Sequence, residues 1–138
     1  MGLDLGAARI GVALSDPTGT IASPYEVLRR SGDQAKDHDA IAALVRDTGA
    51  QRVVVGLPLS LSGTSGPAAE AAQTETKALA ARLDVPVESY DERLTTVTAQ
   101  RALRGSGVRA KAQRDEVDKV AAAVMLQSWL ERNRVSDG

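Results

Sequence analysis

The chain has no cysteine, no phenylalanine and one histidine. Without cysteine there are no disulfides, no thiol nucleophile and no thiolate metal site. The single histidine, His38, stands between Asp37 and Asp39 in a polar run. It is expected to be a solvated residue at a helix start, because a histidine zinc site needs partners this chain lacks. Trp129, Tyr25 and Tyr90 are the only aromatics, too few for a platform on which bases stack. No apolar run is long enough to cross a bilayer and no signal-peptide pattern opens the chain, so a cytoplasmic protein is expected. An excess of one charge is also missing. The net charge is −1, and the molecule as a whole carries no nucleic-acid signature.

What the chain does have is an aliphatic core. Hydrophobic residues make up 43% of its 138 positions, enough for one domain spanning 1–138, with no internal repeat, low-complexity tract or linker. Leu3 and Leu5 flank Asp4, and Ile10, Val12 and Leu14 alternate with small residues, which is the period of two strands. The short connection from Gly6 to Arg9 predicts an antiparallel hairpin. A turn at 16–20 leads to a third strand over 21–30, placed near an edge because Pro24 cannot donate to a ladder. Ile41, Leu44 and Val45 predict a helix over 39–47, ended by Gly49. Val53, Val54 and Val55 read as a buried strand. Pro67 opens a helix to about 83, and a strand follows from Val85 to about Tyr90. Residues 91–96 lead into a helix through Leu103, and a last helix is expected from 115 to 132. Strands separated by helices add in parallel. The fold class is therefore α/β: a mixed five-stranded sheet, the first three strands antiparallel and the last two parallel, flanked by helices.

Three carboxylates stand out. Asp4 interrupts an apolar strand, and an unpaired acid there is costly. Glu92 lies just past the fifth strand, at the carboxyl edge where sites form in such sheets, with its neighbour Asp91 pointing the other way. Asp118 heads a stripe made by Ala122, Met125 and Trp129, which should face the interior. Each has a plainer reading, as an edge residue or a helix-dipole partner. Together they would repel unless a cation neutralised them. Hard oxygen donors without histidine or cysteine select Mg²⁺ or Mn²⁺. From 93 to 114 the chain carries six basic residues and no acid, and such a segment neutralises phosphates. Its glycine-flanked part, 105–114, is expected to be a loop that orders on nucleic acid. Metal-held acids beside a basic segment point to a nuclease. The candidate nucleic-acid contacts are Arg9, Arg93, Arg109, Lys111 and Arg114.

The same residues carry a resemblance to the YqgF (RuvX) family of pre-16S rRNA nucleases and Holliday junction resolvases. It rests on Asp4-Leu5-Gly6 with Arg9-Ile10-Gly11-Val12-Ala13, then Gly56-Leu57-Pro58 with Gly63-Thr64 and Gly66-Pro67. Asp91-Glu92-Arg93-Leu94-Thr95-Thr96 and Asp118 before the alanine-rich last helix complete it. The family often has a lysine where Ala8 stands. The resemblance implies a ribonuclease H-like fold, catalytic acids at Asp4, Glu92 and Asp118, and a place in ribosome maturation in the bacterial cytoplasm. Processing of the 5′ end of pre-16S rRNA is the leading expectation and resolution of a four-way DNA junction the alternative. A monomer or weak homodimer is expected, since aromatic interface anchors are scarce. Two other classes compete. Asp-x-Gly before a hairpin also opens actin-like ATPases, but those need two such domains. A non-catalytic RNA-binding protein would not need all three acids.

Overall fold

The computed structural model describes residues 1–58, 66–92 and 114–137, with side chains in the last range for 119–133. Five strands form one sheet in the order β3-β2-β1-β4-β5: β1 Gly2–Leu5, β2 Arg9–Ser15, β3 Ala22–Arg29, β4 Val53–Leu57 and β5 Val87–Asp91. β1, β2 and β3 pair antiparallel, and β4 and β5 add parallel to β1, as the strand–helix alternation requires. Pro24 lies on β3, an edge strand. The helices are α1 Gln34–Thr48, α2 Pro67–Arg82 and α3 Arg114–Asp137. The helix expected to run through Leu103 lies outside the described residues. Among those residues no helix is long and apolar enough to cross a membrane.

Strand alternation divides the apolar residues between two layers. Leu3, Ile10, Val12, Val53 and Val55 meet Ile41 of α1 and Leu79 of α2 in one core. Ala13, Val54 and Tyr90 face the other way, onto Ala122, Met125, Leu126 and Leu130 of α3. Each fully buried aliphatic side chain contributes about 1.5–3 kcal/mol. The stripe on α3 holds through Ala122 and Met125, but Trp129 is only half-buried. It lies at the rim with the Arg52 guanidinium 5.9 Å from its ring centre.

His38 is not solvated. α1 begins at Gln34, five residues before the expected start, so His38 sits in the second turn and is buried. The helix is N-capped by Asp33, whose side chain accepts from the Ala35 N–H. His38 Nε2 lies 2.9 Å from Glu75 Oε2 on α2, and Arg30 donates to both oxygens of the same carboxylate at 2.8 Å. Arg30 Nε also donates to the Gly6 carbonyl at 2.8 Å, and its backbone N–H to the Ala8 carbonyl. One buried carboxylate thus ties the β1–β2 hairpin to both helices of that layer.

Burial alone would raise the Glu75 carboxyl, but the hydrogen bonds from Arg30 and His38 and the Arg30 charge outweigh it and hold it below its ordinary 4.5. A depressed acid contributes stability above that ordinary value and loses it as pH falls through the folded one. Glu75→Gln should therefore cost about 2 kcal/mol at pH 7, because it leaves the half-buried Arg30 without its charge partner. The deficit should shrink below pH 4.5. Urea unfolding of both proteins at pH 7 and pH 3 checks this. Equal stability at pH 7 would contradict it.

Candidate active site

Register brings two of the three predicted acids together. Gly2 pairs with Val54 and Leu3 with Val55, so the next step along the parallel strands sets Asp4 beside Gly56. Gly56 in turn pairs with Tyr90 of β5, and Glu92 follows Tyr90 by two residues, on the same face. The Glu92 side chain folds back over Gly56. A Cβ built on Gly56 would lie 2.6 Å from Glu92 Oε1 and 3.1 Å from its Cγ. Any side chain at 56 would evict the carboxylate from this position. Adjacent strands are about 4.8 Å apart, so Glu92 rests over the strand next to Asp4. Burial pushes the Glu92 carboxyl above its ordinary 4.5, and the negative charges of Asp4 and Asp91 push it further. Asp91 pairs with Leu57 and points to the opposite face, as alternation requires.

α3 supplies the third predicted position. A Gly2 Cβ would meet Leu126 Cβ at 2.8 Å and the Ala122 carbonyl at 3.3 Å, so the absence of a side chain there lets the helix lie close on β1. Further along α3, Gln127 hydrogen-bonds the Ala22 N–H and the Thr20 carbonyl, at the end of the sheet opposite Asp4. α3 therefore runs antiparallel to β1. One helical turn before Ala122 rises about 6 Å, close to the span from Gly2 to Asp4. That brings the backbone of residue 118 to the level of Asp4, while its side chain lies outside the described ones. Among the described residues no three carboxylate, imidazole or thiol groups gather closely enough to hold a metal, and only the Asp4 and Glu92 members of the predicted set belong to them.

Arg9 opens β2 at the same edge. Arg114 is the first residue of α3, with its side chain outside the described ones, and Arg93, Arg109 and Lys111 lie outside the described residues altogether. Sequence reasoning missed Gly56 as a site residue. Two signals were available: a glycine ending an apolar strand, which marks a close approach of something else, and the place of Gly56-Leu57-Pro58 in the family resemblance. A cavity of about 580 Å³, lined by Met1, Asp16, Arg52 and Trp129 among others, opens at the far end of β1 and β4.

The raised Glu92 carboxyl gives a pH signature. An acid whose folded pKa is raised contributes stability below its unfolded value and loses it as pH rises through the folded one. In chelator-treated protein, stability should fall as pH climbs above 4.5, and Glu92→Gln should remove that part of the fall. Thermal melts of both proteins in EDTA from pH 4 to 8 test it. Superimposable pH profiles would contradict it.

The chain is similar to known proteins in sequence and in fold. Residues 1–132 match the family model described as "RuvX: Holliday junction resolvase". A curated relative from Mycobacterium sp. (strain KMS), named "Putative pre-16S rRNA nuclease", is 50% identical over 137 residues, covering 99% of this chain and 81% of its own. Among solved structures, Thermus thermophilus RuvC superposes with a TM-score of 0.62 at 16% identity, covering 96% of this chain and 95% of that one. The T. thermophilus RuvC in complex with Holliday junction substrate gives 0.61 at 16% identity, with coverage of 95% and 93%. The likeness to RuvC is one of fold, the ribonuclease H-like fold expected from the sequence. Matched by the family model over residues 1–132 and half identical to a curated relative along almost its whole length, the chain belongs to the RuvX family of nucleases.

Proposed function

We propose that this chain, acting as a single cytoplasmic domain, is a metal-dependent nuclease whose catalytic acids are Asp4, Glu92 and Asp118. The observation that carries the reading is the Glu92 carboxylate held against Gly56 beside Asp4 at the strand edge. Two acids at such close quarters are a hard-oxygen donor set, and their mutual repulsion favours a cation. That fits Mg²⁺ or Mn²⁺, with Asp4, Glu92 and Asp118 as the holding residues. Held by these residues, a divalent ion would supply the activation of water and the neutralisation of the leaving oxygen of a phosphodiester. The chain's own contribution is positional. β1, the middle strand of five, fixes Asp4, and Gly56 leaves room for Glu92. Arg9, Arg93, Arg109, Lys111 and Arg114 would contact the phosphate backbone.

For the substrate we favour structured RNA, the precursor of 16S rRNA, on the support of the relative's name. The family description and the RuvC–junction complex favour a four-way DNA junction as the second reading. Resolution takes paired cuts, hence a symmetric dimer with two sites facing one junction. Trp129, the largest candidate anchor for an interface, is instead partly buried on the chain's own second core and beside Arg52. We therefore favour a monomer or weak homodimer acting at one site.

Asp4→Asn, Glu92→Gln and Asp118→Asn should each lower cleavage by on the order of 100-fold or more, with the melting temperature kept or raised. Gly56→Ala should do the same by displacing Glu92. Near-wild-type cleavage by the Asp4 variant would sink the assignment. Substrate choice is tested by comparing cleavage of precursor RNA and a four-way junction, alongside mass in solution. A stable dimer that nicks the junction symmetrically and spares the RNA would overturn our preference.

A further inference from the structure

The acid pair shares its face of the sheet with two arginines. Asp4 pairs with Gly11, and Gly11 with Val27. Two residues further toward the carboxyl edge of β1, Arg9 of β2 pairs directly with Arg29 of β3. Alternation puts Arg9 on the same face as Gly11, and so on the face of Asp4. Paired residues share a face, which brings Arg29 there as well. The residues between them confirm the assignment, because Ile10 and Leu28 pack into the opposite core with α1 and α2. Read from β5 to β3, this edge presents Glu92, Gly56, Asp4, Gly11 and then the Arg9–Arg29 pair.

Like charges directly opposite one another destabilise a sheet, and here two guanidinium groups are opposed. Their Cα atoms are about 5 Å apart. Strand spacing and rise put them roughly 8 and 12 Å from the Cα of Asp4. Arg9 is half-buried and Arg29 exposed. Each engages a neighbour within the chain, and five N–H donors per guanidinium leave capacity for a further acceptor. Two planar forks side by side suit the oxygens of a phosphate, which takes such donors in pairs.

We propose that Arg9 and Arg29 together form a binding site for a backbone phosphate of the substrate strand, next to the one that is cut. Arg9 was a candidate contact on sequence grounds; Arg29 is new, and so is the path the pair defines. The strand leaves the acids along this edge toward β3, away from β5. This inference rests on the nuclease reading for the meaning of the acids, but not for binding itself.

The experiment is a salt titration of binding by fluorescence anisotropy, in EDTA to prevent cleavage. The probes are a labelled single-stranded RNA and a labelled four-way DNA junction. Arg29→Gln should weaken binding about threefold to tenfold and flatten the log K against log salt slope by about 0.7 to 0.9, the loss of one phosphate contact. Arg29→Lys should restore the slope. The melting temperature of Arg29→Gln should be equal to or above that of the wild type, since a like-charge opposition is relieved. In cleavage with metal present, KM should rise while kcat at saturation holds. Unchanged affinity and slope in Arg29→Gln would overturn the site, as would an equal loss of slope in Arg29→Lys. The nuclease reading fails separately: a wild type that cleaves neither substrate, while the slope still depends on residue 29, refutes the catalysis and keeps the phosphate site.

Discussion

The parallel register of β1, β4 and β5 is the constraint on which the site depends. It aligns the carboxyl ends of three strands and sets Asp4, Gly56 and Tyr90 side by side. Glu92 then lies over the glycine, on the strand next to Asp4. Burial raises the Glu92 carboxyl there, and the negative charges of Asp4 and Asp91 raise it further. A fold that only needed stability would place a neutral side chain at either position, since converging acids cost free energy until a cation arrives. Conflict between local packing rules and an otherwise consistent core is the usual mark of a functional site.

Two devices hold that register against the repulsion. On one layer, Arg30 joins the hairpin carbonyls of Gly6 and Ala8 to Glu75, and Glu75 meets His38. The turn just after Asp4 is thereby anchored to α1 and α2. On the other layer, Gly2 admits α3 to close contact with β1. The Tyr90 hydroxyl and Ser128 hydroxyl, 2.8 Å apart in the core, link β5 to the same helix. The acids thus sit on strands clamped from both sides, which is the rigidity that a metal-holding pair needs.

The layer order and most element boundaries were legible because the chain alternates cleanly. Leu3, Leu5, Ile10 and Val12 define one face, and Pro24 marks an edge. Asp4 was legible as an acid where an apolar residue belongs. What escaped lies in contacts between distant segments. Gly56 is explained by a carboxylate 36 positions later. His38 was misjudged because residues 34–40 lack apolar periodicity, so nothing local shows that the helix starts at Gln34. Its partner left a fainter sign, since Glu75 falls between Ala72 and Leu79 on the buried face of α2. Arg29 could not be matched to Arg9 because β2 and β3 shift register between Val12 and Ala13, next to Pro24, which was read only as the mark of an edge.

If Asp4 and Glu92 are held together to receive a cation, binding must discharge their repulsion. The direct measurement is calorimetric titration of the full chain with Mn²⁺ at several pH values above 4.5, in two buffers of different ionisation enthalpy. The account predicts saturable binding with release of a fraction of a proton, displaced from the raised Glu92 carboxyl, and loss of that proton release in Glu92→Gln. Binding of the same strength and the same proton count in the Glu92→Gln and Asp4→Asn variants would contradict it.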